Sequence, residues 1–444
     1  MIFLLHATEN ARSIAGHLGL ADYSYYFVLQ RFAPLLACLG EMRVVEDEQT
    51  LPALIAELQQ RRQRVAVLSF APPQRVPQGL SCPVLPVFAW EYSTLPSESW
   101  SGEARHDWAA VLQGLPAAIT HSQFAVRAVK AATHNDYPVV SLPAPVWDDY
   151  QTVYRDAGWR RAWQHRWRLD LAQGVMLDSH ALGLAQTADG APPPSPSFVP
   201  APCSVTLDGL VYTAVFNPND GRKNWHDLIS AFCFAFRDDP QVTLLMKLVH
   251  HDAAHACQLA WTEMRKLAPY RCRVVAVHGF LDAGTYRHLV AHSSYIVNTA
   301  HGEGQCLPLM EFMSAGKPAI APDHTAMADY LRPDNAFLLR SSEEWTHWPH
   351  DPRMLLRTMR YRLDWSSLHA AYLASRHQVR TAPEDYDRMA RAAHETLRQH
   401  CSQAVILRQL AEFLRACGLR PARWPAWQRW QQRLMHSRRL KGQP

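Results

Sequence analysis

The fold is decided by one stretch in the second half of the chain, which reads His301-Gly302-Glu303-Gly304-Gln305-Cys306-Leu307-Pro308-Leu309-Met310-Glu311-Phe312-Met313-Ser314-Ala315-Gly316-Lys317-Pro318. The apolar runs on either side of it, Tyr295 to Thr299 and Pro318 to Ala321, are typical of short buried strands. A helix is expected to begin near Leu307, with Pro308 in its first turn. The stretch therefore predicts a strand, loop, helix and strand in a parallel sheet.

The loop of this unit has the composition of an anion-binding site. Its glycines let the backbone approach a ligand closely, and the first amides and dipole of the following helix favour negative charge. Glu303 and Glu311 are eight positions apart, so they face roughly the same side. A phosphate repels a carboxylate, and the pair therefore suits neutral hydroxyls on the same ligand. A nucleotide-sugar has this chemistry, because its diphosphate lies between a ribose and a hexose.

The pattern Gly-Glu-Gly-x-x-Leu-Pro-Leu-x-Glu-x-Met-x-x-Gly-Lys-Pro, which contains Glu303 and Glu311, resembles the donor-site signature of the retaining glycosyltransferases of family 4. The resemblance covers roughly residues 205–335 and reaches the N-terminal half only as a strand and helix pattern. It implies an α/β protein with the GT-B fold, in which two doubly wound Rossmann-like domains face each other across a cleft. It also implies that Glu303 contacts the donor sugar and that Glu311 holds the ribose hydroxyls. The diphosphate is then expected at the amides of Gly304, Gln305, Cys306 and Leu307.

A second segment of the resemblance supplies positive charge. In the family, an arginine and a lysine near the first strand of this domain stabilise the diphosphate leaving group, and Lys223 falls at the lysine position. Asn217 stands where the arginine is expected, and Arg222 is the candidate to replace that charge. Gly279 and Phe280 resemble the segment whose backbone meets the nucleotide base.

The N-terminal half contributes further candidates. Gly16 and Gly19 follow the first strand, where they form either a loop that approaches a ligand or a plain turn. Glu91 and His121 each follow an apolar run, and doubly wound sheets bind ligands at the carboxyl ends of their strands. His106 is the alternative histidine. The expected catalytic residues are Glu303, Lys223, Arg222, His121 and Glu91.

Composition also predicts the domain boundaries. The chain has 444 residues, enough for two domains, and a proline-rich segment interrupts it near residue 190. We expect an acceptor-side domain at residues 1–190, a linker at 191–202, a nucleotide-sugar-binding domain at 203–400, and C-terminal helices at 401–444 that pack back on the first domain. Trp159, Trp163 and Trp167 are spaced by four, which predicts one helix face. That face is either packed at the domain junction or turned to a membrane or an acceptor.

Several classes of partner are excluded or restricted by the sequence. No run approaches the roughly 18 apolar residues of a membrane span, and no signal-peptide core is present, so we expect a cytoplasmic protein. Nine cysteines without C-x-x-C spacing indicate free thiols. We expect no metal, no cofactor and no nucleic acid. Residues 419–444 are basic, rich in tryptophan and free of acids, which fits either packing on the first domain or peripheral contact with an anionic membrane.

The sequence thus favours a retaining glycosyltransferase that moves a hexose from a nucleotide-diphosphate-sugar to a glycan or lipid-linked acceptor, in the synthesis of a bacterial-type surface polysaccharide. Two alternatives stay open. One is an isomerase that resembles sugar-nucleotide 2-epimerases. The other is a sugar-nucleotide-binding subunit with degenerate chemistry, which is open because Asn217 stands where the family has an arginine.

Overall fold

The computed structural model describes residues 1–10, 13–14, 16–20, 22–99, 102–156, 163–185, 195–349, 351 and 353–419. The chain forms two compact units. The first comprises Met1–Ile14, Ala21–Pro145 and Gln403–Pro444, and the second comprises Ala15–Leu20 and Val146–Ser402. Each unit is built around a largely parallel sheet.

The first unit contains a six-stranded parallel sheet in the order β2-β1-β3-β4-β5-β6. Its strands are β1 (Ile2–Ala7), β2 (Glu41–Val44), β3 (Val65–Phe70), β4 (Val84–Phe88), β5 (Ala118–Thr120) and β6 (Val139–Ser141). Its helices are α1 (Tyr23–Leu39), α2 (Leu51–Gln60), α3 (Trp108–Gln113), α4 (Gln123–Ala132) and α12 (Gln403–Ala416). β1 and β3 are buried along their whole length because helices cover both faces of a parallel sheet, which explains their continuous apolar sequences.

The helix α12 packs within the first unit although it lies near the end of the chain. Its apolar stripe, which includes Ile406, Leu407 and Leu410, is fully buried. Just beyond the helix, Arg64 donates a hydrogen bond to the Gly418 carbonyl at 2.8 Å. The basic, tryptophan-rich tail after Leu419 lies outside the described residues.

The second unit contains an eight-stranded sheet in the order β14-β13-β12-β9-β10-β11-β7-β8. Its strands are β7 (Trp167–Asp178), β8 (Ala201–Leu207), β9 (Leu210–Phe216), β10 (Val242–Leu248), β11 (Arg273–His278), β12 (Tyr295–Val297), β13 (Ala319–Pro322) and β14 (Ala336–Leu339). A separate hairpin is formed by β15 (Ser341–His347) and β16 (Arg357–Leu363). The helices are α5 (Gln151–Arg155), α6 (Trp225–Ala235), α7 (Ala253–Leu267), α8 (Ala283–His292), α9 (Leu307–Ser314), α10 (Trp365–Thr381) and α11 (Pro383–Cys401).

The strand order of the second sheet reverses direction between β9 and β12. From β9 the chain adds β10 and β11 on one side, and it then returns to add β12, β13 and β14 on the other. Loops that leave adjacent strands on either side of such a reversal diverge and open a crevice at their carboxyl ends. The strand, loop, helix and strand predicted around Glu303 are confirmed as β12, the following loop, α9 and β13, which places this loop at the reversal.

Two antiparallel strands, β7 and β8, extend this sheet and shift the boundary between the units. β7 pairs with β11, and β8 pairs with β7. The boundary therefore falls between Pro145 and Val146 rather than at residue 190, and Ala201 belongs to a strand rather than to a linker.

The predicted helix face that includes Trp167 is also wrong, because Trp167, Leu169 and Leu171 alternate with exposed residues as a strand requires. Trp159 lies outside the described residues.

Lys247 is a charged residue within the strand β10. β10 is buried on both faces, and the Lys247 side chain is buried with it. Its Nζ donates to the Leu248 carbonyl at 2.9 Å, and burial lowers the pKa of Lys247 to about 7.

All nine cysteines are free. In the described part of the chain, no helix is both long and apolar enough to cross a membrane.

Candidate active site

The candidate site is formed where the loops after β9 and β12 meet. The His301 amide donates to the Arg222 carbonyl at 2.8 Å, which joins the two loops through their backbones. The Thr299 hydroxyl lies 3.1 Å from the carbonyl oxygens of both Lys223 and Asn224. These bonds fix the cations of one loop beside the acid of the other, at the crevice that the strand order creates.

Glu303 is the centre of this arrangement. Its side chain is 5% exposed, and each carboxylate oxygen accepts two hydrogen bonds. Lys223 Nζ donates to Oε1 at 2.8 Å and to Oε2 at 3.0 Å. Asn298 adds a bond to Oε1 at 3.0 Å, and Arg222 adds one to Oε2 at 3.1 Å. The carboxylate is therefore saturated with donors, two of them on cationic side chains.

The charges around Glu303 balance one another. Burial alone would raise the pKa of Glu303, but Lys223 and Arg222 hold it at about 2, so the group is ionised at neutral pH. Arg222 also bonds Asp220 Oδ2 at 3.0 Å and the Gly302 carbonyl at 2.6 Å. Two cations thus face two carboxylates in this structure. A phosphate that reached either cation would compete with Glu303 for it.

The helix α9 begins directly after the Glu303 loop. It starts at Leu307 without a side-chain cap, so its first amides and its positive dipole end face the loop. Gly304, Gln305 and Cys306 are buried in front of it. Burial raises the pKa of the Cys306 thiol, which keeps that group uncharged. The expected diphosphate-binding residues thus occupy one continuous turn at this helix end.

Three non-glycine residues around Glu303 adopt left-handed backbone conformations. They are Asn224 (φ 47°), Cys306 (φ 61°) and Thr325 (φ 52°). Such conformations cost roughly 1–3 kcal/mol each and concentrate at functional sites, and a β-branched residue such as Thr325 adopts them least readily. The Glu303 amide donates to Thr325 Oγ1 at 3.0 Å, and Ala326 N donates to the Glu303 carbonyl at 3.2 Å. The turn after β13 therefore holds the Glu303 backbone.

Glu311 lies on α9 and is tied to a different neighbour. The Tyr286 hydroxyl, on α8, donates to Glu311 Oε2 at 2.9 Å. Both side chains are half-buried, and burial together with the Glu311 charge raises the pKa of Tyr286. Tyr286 therefore remains a hydrogen-bond donor at neutral pH and restricts the orientation of the carboxylate.

Gly279, expected near the nucleotide base, lies where β7 approaches the end of β11. Its φ is +146°, and a Cβ there would lie 2.7 Å from the Gln173 carbonyl oxygen. No larger residue fits without moving β7. The adjacent Phe280 is 47% exposed, so its ring is available to a ligand.

Asn217 and Gly19 are brought together although they are far apart in the sequence. Asn217 Nδ2 donates to the Gly19 carbonyl at 3.0 Å. Gly19 has φ +79°, and a Cβ at this residue would lie 2.4 Å from the Val249 carbonyl oxygen, so the close approach requires glycine. Gly16, in the same loop, is exposed. Asn217 therefore positions this loop through its side-chain amide.

The two candidates from the first unit differ in their surroundings. His121 is 2% exposed, and its Nδ1 lies 2.8 Å from the Leu142 carbonyl. Burial lowers the pKa of His121 to about 4, so the ring is neutral at pH 7. These contacts are typical of an interior histidine. Glu91, three residues after the end of β4, is half-buried. The catalytic roles expected for both residues stay predictions.

Sequence reasoning missed the residues that support Glu303 and Glu311. They are Asn298, Asp220, Thr325 and Tyr286. Asn298 and Thr325 had a usable signal, because each is a polar residue just after an apolar strand. Tyr286 had none, since it lies within an ordinary helical pattern. Across the described ranges, no group of three or more His, Cys, Asp or Glu side chains is arranged to hold a metal ion.

Comparison with known proteins supports the fold. No protein-family model and no curated protein matches the chain. Solved structures do match, among them Anabaena HepE in complex with UDP and glucose, with 13% identity, a TM-score of 0.55 and coverage of 94% of this chain and 100% of that chain. Sucrose-phosphate synthase from Thermosynechococcus elongatus is 13% identical with a TM-score of 0.57, covering 94% of this chain and 98% of its own. A glycosyltransferase from Rickettsia africae is 10% identical with a TM-score of 0.57, with coverage of 94% and 98%. These likenesses confirm the predicted GT-B fold with two Rossmann-like domains.

Proposed function

We propose that this chain is a retaining glycosyltransferase that moves a hexose from a nucleotide-diphosphate-sugar to a glycan or lipid-linked acceptor. The observation that carries the proposal is the buried Glu303 carboxylate, held by Lys223 and Arg222 at the strand-order reversal and followed directly by the uncapped start of α9. HepE, which shares the fold, has been solved with UDP and with UDP-glucose.

The roles follow from charge and hydrogen bonding. The diphosphate lies at the amides that precede and begin α9, where the helix dipole favours an anion. Lys223 and Arg222 exchange their contact with Glu303 for the phosphate oxygens, and the carboxylate is then freed to accept hydrogen bonds from the hexose hydroxyls. As the glycosidic bond breaks, negative charge grows on the leaving diphosphate, and these cations stabilise it. The acceptor hydroxyl attacks from the face that the diphosphate leaves and passes its proton to the departing phosphate oxygen, and the sugar therefore retains its configuration.

The biological setting that we propose is the synthesis of a bacterial-type surface polysaccharide in the cytoplasm. A lipid-linked acceptor would lie at the inner face of a membrane, and the basic tail after Leu419 would give the enzyme peripheral contact with anionic lipid.

A panel of sugar nucleotides tests the proposed activity against its two alternatives. The purified protein is incubated with UDP-glucose, UDP-N-acetylglucosamine, GDP-mannose and ADP-glucose, each with and without oligosaccharide acceptors. Release of nucleoside diphosphate that depends on the acceptor supports transfer. Acceptor-independent release together with an isomerised sugar indicates the epimerase-like reaction. Binding without any release indicates a sugar-nucleotide-binding subunit.

We predict that Glu311→Ala weakens binding of the nucleoside diphosphate several-fold, because a hydrogen bond to a neutral ribose hydroxyl is worth on the order of 1 kcal/mol. Tyr286→Phe removes the hydroxyl that orients Glu311 and is expected to weaken binding by a smaller factor. Calorimetric titration measures both. Glu57→Ala, on α2 of the first unit, makes the same change at an exposed ion pair with Arg61 and is the matched control, which should bind like the wild type. Unchanged affinity in Glu311→Ala would contradict the ribose assignment.

We also predict that turnover needs no divalent metal ion, since Lys223, Arg222 and the α9 amides supply the positive charge that a metal provides in other enzymes. Activity measured after treatment with EDTA should equal that of the untreated enzyme. Loss of activity with the chelator and its recovery with Mn²⁺ would contradict this expectation.

A further inference from the structure

His324 lies in the turn after β13 and is a feature of the second unit that the proposed roles leave unexplained. The side chain is 5% exposed, and its Nε2 is buried with no hydrogen-bond partner among the described residues. Buried polar atoms are nearly always paired, because leaving one unpaired is costly. An unpaired atom next to a candidate site therefore indicates a partner that arrives with a ligand.

The hydrogen bonds of the next residue, Thr325, indicate which ring nitrogen of His324 carries the proton. Thr325 Oγ1 has a single proton, which it donates to the His324 carbonyl at 2.8 Å. The same oxygen is therefore an acceptor toward His324 Nδ1, 3.4 Å away, which favours the tautomer with the ring proton on Nδ1. Burial lowers the pKa of His324 to about 4, and the ring is neutral at pH 7. Nε2 is thus a lone-pair acceptor that lacks a donor.

The surroundings of the ring place it beside the candidate site. The charge of Glu303 acts on His324, and Thr325, its immediate neighbour, receives the Glu303 amide. Tyr361, on β16, stacks on the imidazole with ring centroids 4.4 Å apart and planes within 14° of parallel. The backbone of Tyr361 in turn contacts His301, which belongs to the Glu303 loop. The Tyr361 amide donates to the His301 carbonyl at 2.9 Å, and His301 Nδ1 lies 2.8 Å from the Tyr361 carbonyl oxygen. The imidazole is therefore held in a fixed orientation by the elements that hold Glu303.

We propose that His324 Nε2 accepts a hydrogen bond from a hydroxyl of the transferred sugar and so selects which sugar the site takes. An ionised diphosphate has no proton to donate to this atom, whereas every hexose hydroxyl has one. Nε2 is closed to solvent in this structure, so the sugar gains the contact when the side chains around Glu303 rearrange to admit it. The inference rests on the proposed function, since it requires a nucleotide-sugar at Glu303.

Two substitutions separate the acceptor atom from the rest of the side chain. His324→Asn keeps a donor near the position of Nδ1 but has no atom at the depth of Nε2. His324→Gln places an amide oxygen near the position of Nε2. Each variant is titrated with the sugar nucleotide that the panel identifies among UDP-glucose, UDP-N-acetylglucosamine, GDP-mannose and ADP-glucose, and separately with the matching nucleoside diphosphate.

We expect His324→Asn to weaken binding of the sugar nucleotide about five- to tenfold and to leave the nucleoside diphosphate unaffected. His324→Gln should bind both within about twofold of the wild type. Monodeoxy analogues of the same sugar nucleotide identify the hydroxyl, because the analogue that lacks it should bind the wild type and His324→Asn equally. Unchanged nucleoside diphosphate binding also shows that each variant is folded.

Three results would overturn the proposal. The first is wild-type affinity for the sugar nucleotide in His324→Asn. The second is an equal loss for sugar nucleotide and nucleoside diphosphate, which would mean that His324 shapes the site without contacting the sugar. The third is a wild-type protein that binds no nucleotide of the panel. That result rejects the proposed function as well, whereas the first two reject the role of His324 alone.

Discussion

Replacing Glu303 with leucine is expected to lower the free energy of unfolding by roughly 3 kcal/mol, because removal of one member of a buried ion pair leaves its partners uncompensated. The side chains of Lys223 and Arg222 are only 18% and 17% exposed. Arg222 keeps its bond to Asp220, whereas Lys223 loses both of its bonds to the carboxylate. Urea denaturation followed by circular dichroism and tryptophan fluorescence measures the change.

The control is Glu395→Leu, which removes an exposed ion pair with Arg398 on α11. The side chains of that pair are 49% and 43% exposed, so its loss should cost less than about 1 kcal/mol. The double variant Glu303→Leu/Lys223→Met should be more stable than Glu303→Leu, because it no longer contains the uncompensated ammonium. Equal stability of Glu303→Leu and the wild type would show that the ion pairs of Glu303 with Lys223 and Arg222 make no net contribution to the free energy of unfolding.

The difference in the free energy of unfolding between the wild type and Glu303→Leu depends on pH, and the pKa of Glu303 determines the sign of that dependence. The pKa of Glu303 in the folded protein is about 2, below its ordinary value of 4.5. A carboxyl whose folded pKa is lowered contributes stability that is fully present above the unfolded pKa and is lost as pH falls through the folded one. The stability gap between the wild type and Glu303→Leu should therefore be largest near pH 7 and shrink between about pH 4.5 and pH 2. A gap that widened in this range would contradict the charge pairing.

The part of the fold that was predictable from sequence is the part set by local signals. β3, β9, α1 and α2 carry such signals in their own sequences, because apolar runs and helical spacing act over a few residues. The Glu303 loop was found for the same reason, since its glycines, its proline and its two acids are adjacent along the chain.

The strands β7 and β8 show why the rest was not predictable. Tryptophans four residues apart imitate a helix face, and the last of them, Trp167, is also the first residue of the alternating strand pattern that continues with Leu169 and Leu171. Which of the two patterns prevails is decided by β11, whose open edge lies about a hundred residues further along the chain and accepts the hydrogen bonds of β7.

The partners within the site are equally non-local. The bond from Asn217 to the Gly19 carbonyl spans 198 positions, and the one between His301 and Tyr361 spans 60. The sequence predicted that Lys223 and Arg222 bind phosphate, but it gave no indication that both would contact Glu303. That pairing depends on the distance between two loops, which composition and spacing do not determine.

We expect Lys223→Met to lower the turnover number about 100- to 1000-fold, while affinity for the nucleoside diphosphate falls by a smaller factor. The reason is that charge on the leaving diphosphate grows as the glycosidic bond breaks, so a cation that stabilises it acts mainly in the transition state. Methionine keeps the length and apolar stem of lysine, and the change therefore removes the charge with little loss of packing. Single-turnover kinetics and calorimetric titration separate the two effects.

The matched control is Lys266→Met on α7, whose side chain is 64% exposed and pairs with Glu263. It makes the same chemical change outside the site and should leave turnover unchanged. Arg222→Met is expected to lose stability as well as turnover, because Arg222 also bonds the Gly302 carbonyl and Asp220. A Lys223→Met enzyme with wild-type turnover would mean that Lys223 serves to neutralise Glu303 and that the diphosphate leaves with the help of Arg222 and the α9 amides.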